Sequence, residues 1–167
     1  MTDDEYAVKN MFESAEDFKK ALEQETKVGD LWRTPPAFFA MLDAEFHFEP
    51  FDPCSINPDG LRQFDGQTVN AWPSTRGTNC YYVNPPYSEP EPWIRAALEQ
   101  SRLGKTVVML LRVDTSTLWF HDLVLPFGEV RWIRGRMAFV NPKTQEAKRA
   151  NFASMLAIFR PKTMKAV

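Results

Sequence analysis

The sequence predicts an α/β fold, a three-layer sheet whose last strands pair antiparallel. In the middle of the chain, a β-prone stretch at residues 80–83 precedes a helical pattern from Trp93 to about Gly104, and a strand at residues 106–111 follows. This second strand is apolar throughout, as expected of a strand that is covered on both faces. Near the C-terminus, three β-prone stretches are closely spaced, at residues 130–133, 137–140 and 152–159.

The elements before these strands divide the chain into two regions. Residues 1–30 are expected to form an N-terminal helical extension, because an amphipathic pattern follows a serine with the spacing of a helix N-cap. Residues 31–167 form the main domain. Its first helix is predicted to have Thr34 as N-cap with proline inside the first turn. A short strand at residues 46–51 is predicted to follow, and a further helix covers residues 116–124.

The composition excludes several classes of protein. The 167 residues are 44% hydrophobic and 25% charged, and no apolar run approaches the length of a membrane span. The acidic N-terminus lacks the pattern of a signal peptide, so we expect a cytoplasmic protein with no membrane association. Cys54 and Cys80 are accordingly expected to be reduced thiols. The two histidines, His47 and His121, show no metal-ligand spacing, and we expect no metal.

The charges are distributed unevenly, although the formal net charge is only −2. Residues 1–30 carry nine acidic and four basic side chains, whereas residues 128–167 carry nine basic and two acidic ones. A basic surface of this kind can face phosphate groups, but a solvated surface can have the same composition. The charge pattern alone therefore leaves nucleic-acid binding open.

The tetrapeptide Asn84-Pro85-Pro86-Tyr87, directly after the strand at residues 80–83, is the strongest chemical signal in the chain. Its two prolines fix φ and remove two backbone donors, which leaves rigidly held carbonyls. The side-chain oxygen of Asn84 and the carbonyl of Pro85 can then accept both hydrogens of one planar NH2 group. Tyr87 offers a flat face for the ring that carries this amine. The combination describes a flipped-out nucleobase, and the alternative is a proline-rich turn capped by a tyrosine.

Three polar stretches are predicted to follow strands: residues 52–55, 84–87 and 112–117. In open α/β sheets, ligands bind outside the carboxyl ends of the strands. The coincidence favours a single ligand site to which all three stretches contribute. For residues 52–55 alone, an Asx-type turn is the alternative.

Several motifs follow one another along the main domain: Trp32-x-Thr34-Pro35, Phe51-Asp52-Pro53-Cys54-Ser55, Asn84-Pro85-Pro86-Tyr87-Ser88, the strand at residues 108–111 with Asp114-Thr115-Ser116-Thr117 and Trp119-Phe120, and Ile133-x-Gly135-Arg136-x-x-Phe139. In this order they resemble the phage-type DNA N6-adenine methyltransferases, a Dam-like family. The likeness runs from about Trp32 to Pro161. Several motifs in the correct order are far more specific than any one of them.

The resemblance implies a Rossmann-like methyltransferase fold and transfer of a methyl group from S-adenosylmethionine to the N6 amine of adenine in double-stranded DNA. It makes Asn84, Pro85, Pro86 and Tyr87 the catalytic residues of a pocket for the flipped base. The family's opening motif and cofactor loop are similar to the following residues, which are expected to bind the cofactor: Trp32, Thr34, Pro35, Asp52, Pro53, Cys54 and Ser55. Members occur mainly in bacteriophages and prophages, and the resemblance suggests protection of phage DNA from restriction in the host cytoplasm, although the sequence itself does not reveal the biological role.

DNA contacts are expected beside the NPPY motif and in the basic C-terminal third. The expected residues are Ser88, Arg112, Arg134, Arg136 and Lys143, with Lys148 and Arg149 in support. Arg112 ends the buried strand and is expected to lie nearest the active centre. For each arginine taken singly, a surface charge is the alternative.

Two departures from the wider methyltransferase pattern leave alternatives open. Residues 54–57 stand in place of a glycine-rich FxGxG loop, and the chain has no room for the target-recognition domain of larger Dam enzymes. Asp65 is only a candidate for holding the cofactor ribose.

The NPPY motif also suits cytosine N4, an RNA base or a protein glutamine, because each presents a planar NH2 group. From another class, the alternative is a methyltransferase-fold module without catalysis that binds DNA or a host protein.

Overall fold

The computed structural model describes residues 32–49, 77–141 and 144–161. Within these ranges the helices are α1 (Pro36–Phe46), α2 (Glu91–Arg102) and α3, a segment that is π-helical over Phe120–Val124 and α-helical over Leu125–Phe127. The strands are β1 (Cys80–Val83), β2 (Thr106–Arg112), β3 (Glu129–Trp132), β4 (Ala138–Val140), β5 (Ala147–Arg149) and β6 (Ser154–Phe159).

Four of these strands form a mixed sheet in the order β1-β2-β6-β3. β1 is parallel to β2, and β6 is antiparallel to both β2 and β3. α2 connects the parallel pair, as two parallel strands require a crossover between them. β4 and β5 form a separate antiparallel pair. The predicted α/β class and the antiparallel pairing of the late strands are therefore confirmed.

Side chains of β2 enter two separate buried clusters, because successive residues of a strand point to opposite faces. Val107, Met109 and Leu111 pack in one cluster with α2 and α3. Val108 and Leu110 pack in the other with α1 and β4. All five side chains are fully buried, and burial of each stabilises the fold by about 1.5–3 kcal/mol. The prediction that this strand is covered on both faces is confirmed.

α2 begins at Glu91, two residues before the predicted Trp93, and ends at Arg102, close to the predicted Gly104. Pro92 lies in the first turn, where the missing N–H costs no helical hydrogen bond. Trp93, Ile94 and Ala97 are buried in the cluster that α2 shares with the sheet. The chain then turns into β2 through Gly104, whose φ is +96° and where a Cβ would lie 2.9 Å from a backbone carbonyl oxygen. Glycine suits this position because it adopts positive φ without steric cost.

Two predictions at the start of the main domain are wrong. The N-cap of α1 is Pro35 and not Thr34, and no side chain caps this helix end. The predicted strand at residues 46–51 does not begin at Phe46, because this residue ends α1. Phe46 lies four residues after Leu42, and both are buried, so one helical face carries them into the core.

The chain leaves α1 through His47, which has φ of 54° in the left-handed region. Residues 47–49 form no strand, although the Glu49 N–H donates to the carbonyl of Cys80 at 2.9 Å. The aromatic spacing of Phe46 and Phe48 fits a strand, but the helical packing of Phe46 prevails. The rest of the predicted strand lies outside the described residues.

The predicted strands in the C-terminal third are confirmed as β3, β4 and β6, whereas β5 was not predicted. The helix predicted at residues 116–124 corresponds to α3, displaced toward the C-terminus. The N-terminal helical extension lies outside the described residues. Among the helices that the structure describes, none combines the length and the apolar character of a membrane span.

Candidate active site

The strand register brings the segments that follow β1 and β2 to one edge of the sheet. Val83, the last residue of β1, pairs with Met109 of β2, and Arg112 at the end of β2 pairs with Ser154 at the start of β6. Trp132 at the end of β3 lies at the same edge, opposite Met155, which follows Ser154 on β6. We call this the site edge: the carboxyl ends of β1, β2 and β3 with the amino end of β6. The NPPY motif follows β1 directly.

Asn84 at the site edge is oriented by a backbone carbonyl. Its Nδ2 donates to the carbonyl oxygen of Trp32 at 3.1 Å, a bond between residues 52 positions apart. Because the amide nitrogen is used in this way, its Oδ1 is the atom that remains to accept hydrogen bonds. The side chain is only partly exposed, directly after the rigid strand β1. Asn84 is thus a held acceptor, that is, a hydrogen-bond acceptor whose orientation is fixed by the protein.

The segment that contains Trp32 is fixed to the sheet at two further points. The hydroxyl oxygens of Thr34 and Tyr82 lie 2.6 Å apart and share a hydrogen bond, which explains why Thr34 does not cap α1. Arg33 and Val140 exchange two backbone hydrogen bonds of 2.9 Å, so the segment also pairs with β4. The predicted cofactor residues of the opening motif, with Pro35 after them, therefore lie beside the predicted catalytic strand.

Pro85 and Pro86 separate Asn84 from the turn at Tyr87 and Ser88. Pro85 is buried and Pro86 is partly buried. Neither residue has an N–H, so this stretch of backbone offers carbonyl acceptors and no donor. Ser88, a predicted DNA contact, is exposed in the turn.

Tyr87 is held by two phenylalanines at nearly right angles. Its ring centroid lies 5.3 Å from that of Phe152, at an interplanar angle of 85°, and 5.9 Å from that of Phe139, at 75°. The phenolic oxygen is buried and has no hydrogen-bond partner among the described residues. This burial raises the pKa of Tyr87 far above its ordinary value, so the phenol stays neutral. At the site edge Tyr87 is therefore an aromatic ring with a neutral hydroxyl.

Arg112 completes this aromatic group at the end of β2. Its guanidinium carbon lies 5.6 Å from the centroid of the Phe152 ring. The side chain is otherwise exposed. Arg112 therefore lies beside a ring that contacts Tyr87, and its place near the active centre stays a prediction.

The loop after β2 is organised by Asp114. Its carboxylate accepts a hydrogen bond from the Ser116 hydroxyl at 2.8 Å, and its carbonyl accepts one from the Thr117 hydroxyl at 2.8 Å. The Nε2–H of His121 donates to the carbonyl of Thr115 at 2.7 Å. These local bonds give the loop a defined shape at the site edge.

The predicted phosphate contacts form a cationic group on and beside the β4–β5 hairpin. Arg134 and Arg136 are exposed in the segment between β3 and β4, and Lys148 and Arg149 are exposed on β5. None of the four forms an ion pair with another described residue. Their charges are therefore available to a ligand.

Several predicted site residues lie outside the described residues. They are the cofactor-loop residues Asp52, Pro53, Cys54 and Ser55, the ribose candidate Asp65 and the predicted DNA contact Lys143. In the part of the chain that is described, no group of three or more His, Cys, Asp or Glu side chains could hold a metal ion.

Three residues of the site were not predicted in their roles. Tyr82 binds Thr34, and Phe139 and Phe152 hold Tyr87. Phe139 was recognised only as the end of the late GRxxF motif, and its position there is the one signal that could have indicated a place at the site. Nothing local to Tyr82 or Phe152 indicates their contacts, because the partners are far away in sequence.

Comparison with known proteins identifies the family. The sequence model described as DNA N-6-adenine-methyltransferase (Dam) matches residues 22–166. A DNA N-6-adenine-methyltransferase of Haemophilus phage HP1 (strain HP1c1) is 37% identical over 142 residues, which cover 80% of this chain and 80% of the relative. One of Escherichia phage T1 is 29% identical over 141 residues, covering 74% of this chain and 59% of the relative. No solved structure matches the chain significantly. The chain therefore belongs to the DNA N-6-adenine-methyltransferase (Dam) family, as its motif order predicts.

Proposed function

We propose that the chain transfers the methyl group of S-adenosylmethionine to the N6 amine of an adenine that is flipped out of DNA into the pocket at Asn84–Tyr87. Membership of the Dam family makes the chain an adenine-specific DNA methyltransferase. The use of S-adenosylmethionine, the flipped base and the residue roles are our proposal. The observation that carries it is the hydrogen bond from Asn84 Nδ2 to the Trp32 carbonyl.

This hydrogen bond decides which end of the Asn84 amide faces a substrate. With Nδ2 bound to Trp32, Oδ1 accepts one hydrogen of the adenine amine, and the carbonyl of Pro85 accepts the other. Two acceptors fix the plane of the amine and turn its nitrogen lone pair toward the methyl donor. Because neither the Asn84 side chain nor the Pro85 carbonyl must reorganise during the reaction, positioning supplies much of the rate enhancement.

Tyr87 provides the stacking surface for the flipped base. Extrusion of adenine from the duplex costs a few kcal/mol, and stacking on an aromatic side chain returns about 1–3 kcal/mol. Because its buried phenol stays neutral, Tyr87 neither takes nor gives a proton. In the proposed site, Tyr87 holds the ring of the flipped adenine.

The segment from Trp32 to Pro35 fits the methionine end of S-adenosylmethionine. Its bonds to Asn84 and Tyr82 place it against the strand that carries the NPPY motif. The partly buried indole of Trp32 suits a positively charged sulfonium, because an aromatic face attracts a cation. When bound, the cofactor supplies the electrophilic methyl group. We assign residues 52–55 to the remainder of this cofactor site on the family resemblance alone.

The fold of the described residues supports a three-layer Rossmann-like arrangement. α2 and α3 share one buried cluster with the sheet, and α1 shares the cluster on the other face. Ligands of such sheets bind outside the carboxyl ends of the strands, which is where Asn84 lies. The arrangement and the position of the proposed site agree.

Double-stranded DNA is the proposed partner. Arg134, Arg136, Lys148 and Arg149 present four positive charges with no partner among the described residues, and these bind the phosphate backbone. We place the reaction in the cytoplasm of a bacterial host, because the relatives are phage proteins.

Product analysis tests the proposed function directly. The purified protein is incubated with unmethylated plasmid DNA and S-adenosylmethionine, and the DNA is digested to nucleosides for mass spectrometry. We expect N6-methyladenosine of the deoxy series and no N4-methylcytosine product. RNA and a protein extract, incubated in parallel, are expected to acquire no methyl group. Methylated cytosine, RNA or protein in place of adenine would contradict the proposal, and the absence of heat on titration with S-adenosylmethionine would favour a binding module without catalysis.

A further inference from the structure

An aromatic group at the site edge connects the NPPY motif with the loop before β6. Tyr87 contacts Phe152 and Phe139 at centroid distances of 5.3 and 5.9 Å. Phe139 and Phe152 also contact each other at 6.1 Å with an interplanar angle of 41°. Arg112 lies over Phe152 at 5.6 Å. Phe152 is thus the residue that contacts all three of the others.

The geometry of the two tyrosine contacts determines the plane of the Tyr87 ring. Both interplanar angles, 85° to Phe152 and 75° to Phe139, are close to perpendicular, which is a favourable geometry for aromatic pairs. No hydrogen bond to the Tyr87 hydroxyl helps to fix the ring, because this atom has no partner among the described residues. The orientation of Tyr87 therefore depends on its neighbouring rings.

Phe152 itself is held from two sides. It lies two residues before Ser154, the first residue of β6, from which the register with β2 is defined. The Arg112 guanidinium covers its ring, and the side chain is partly buried in the cluster beneath α1. Because the Phe152 ring is anchored in this way and contacts Tyr87, it fixes the position of the Tyr87 ring.

We infer that Phe152 is a positioning residue: it holds Tyr87 in the plane in which that ring stacks on the target adenine. The inference rests on the proposed function of Tyr87 and assigns to it a support that lies 65 positions away in the chain. In this role Phe152 needs no contact with the substrate, the cofactor or the reacting atoms. It acts on the reaction through Tyr87 alone.

Substitution of Phe152 tests the inference by steady-state kinetics on unmethylated plasmid DNA. In Phe152→Ala we expect kcat to fall by about a hundredfold, the cost of a misplacement of about 1 Å in an active site. KM for DNA stays close to wild type, because the phosphate contacts are intact. Phe152→Tyr keeps the ring and restores kcat, whereas Phe152→Leu keeps apolar volume without the ring and does not.

Two controls separate positioning from stability. Phe120→Ala removes a phenylalanine from the cluster on the opposite face of the sheet and is expected to lower the unfolding temperature while keeping kcat. All variants are assayed at a temperature where circular dichroism shows them folded. The second control is the Tyr87→Leu background, in which long incubations with radiolabelled cofactor measure residual transfer. There, Phe152→Ala should cause no further loss.

The outcomes are distinct for the two levels of the argument. If Phe152→Ala or Phe152→Leu keeps wild-type kcat, or if Phe152→Ala lowers transfer equally in the Tyr87→Leu background, Phe152 does not act through Tyr87 and the inference is overturned. If the wild-type protein itself methylates no DNA, the proposed function fails first.

Discussion

The two edges of the sheet use arginine in different ways. At the edge opposite the site edge, Glu129 begins β3 and accepts a hydrogen bond from Arg160 at 3.1 Å and one from Arg131, two residues further along the strand, at 2.8 Å. Arg131 also donates to Glu45 at 2.8 Å. Both guanidinium groups also lie over the ring of Phe46, at 5.4 and 5.6 Å. These contacts join the end of α1 to β3 and β6. The arginines at this edge are structural.

At the site edge, the cations have no such partners. The Arg112 guanidinium lies over the ring of Phe152, and within the described part of the chain Arg112, Arg134 and Arg136 form no ion pair. The basic C-terminal third thus contains two kinds of arginine that its composition cannot separate. Paired side chains neutralise each other, and unpaired ones attract phosphate. The number of basic residues in this third is larger than the number available to DNA, because Arg131 and Arg160 form ion pairs with glutamates.

The largest expected effect comes from the catalytic motif itself. Asn84→Ala removes the held acceptor, and we expect methyl transfer to fall by at least about 10²–10³-fold, as for loss of one preorganised polar group in an active site. Asn79→Ala is the matched control, because Asn79 is an exposed asparagine at the other end of β1 that donates to Glu49. Incorporation of labelled methyl groups into DNA measures both. Equal activity of Asn84→Ala and the wild type would remove the proposed role of this residue.

A pair of double variants with the same net charge sharpens the comparison of the two edges. Arg134→Gln with Arg136→Gln is expected to weaken DNA binding and to reduce the salt dependence of affinity by about one unit for each lost phosphate contact. Arg131→Gln with Arg160→Gln should leave binding unchanged and lower the free energy of unfolding by at most about 1 kcal/mol per ion pair, because these pairs are partly exposed. Fluorescence anisotropy at several salt concentrations and urea unfolding measure the two effects. Equal loss of DNA binding in both double variants would contradict the distinction between structural and DNA-binding arginines.

The ion pairs of the opposite edge also predict a pH dependence of stability. Hydrogen bonds from Arg131 and then Arg160 lower the pKa of Glu129 below its ordinary value of 4.5. A carboxylate whose pKa is lowered by folding contributes stability that is complete above the ordinary pKa and is lost as the pH falls through the lowered one. Urea unfolding from about pH 6 to about pH 3 should therefore show an acid loss that is smaller in Glu129→Gln. Glu89→Gln, at an exposed glutamate without an ion pair in the described residues, should behave like the wild type.

The smallest expected effect concerns the hydroxyl of Tyr87. Because this buried oxygen has no partner among the described residues, Tyr87→Phe removes only an unsatisfied polar group. We expect near wild-type methyl transfer and stability that is unchanged or higher by about 1 kcal/mol. Ser154→Ala should behave alike, because the Ser154 hydroxyl is also buried without a partner among the described residues. A large loss of activity in Tyr87→Phe alone would assign the hydroxyl a chemical role.

Much of the site's chemistry and many of the strands could be predicted because the signals are local. The NPPY motif carries its chemistry in four adjacent residues, and the apolar run of β2 predicts burial on both faces. Local signals also misled. The aromatic spacing of Phe46 and Phe48 suggested a strand, and Thr34 has the chemistry of an N-cap, although its hydroxyl binds Tyr82.

The tertiary structure added the pairings between residues that are distant in the sequence. Trp32 orients Asn84 from 52 positions away, and Thr34 meets Tyr82 from 48 positions away. The contact of Phe152 with Tyr87 and the ion pair of Arg131 with Glu45 are of the same kind. Local patterns report the chemical type of a side chain and the face it occupies. Its partner depends on strand order and register, and those are decided when the whole sheet packs together.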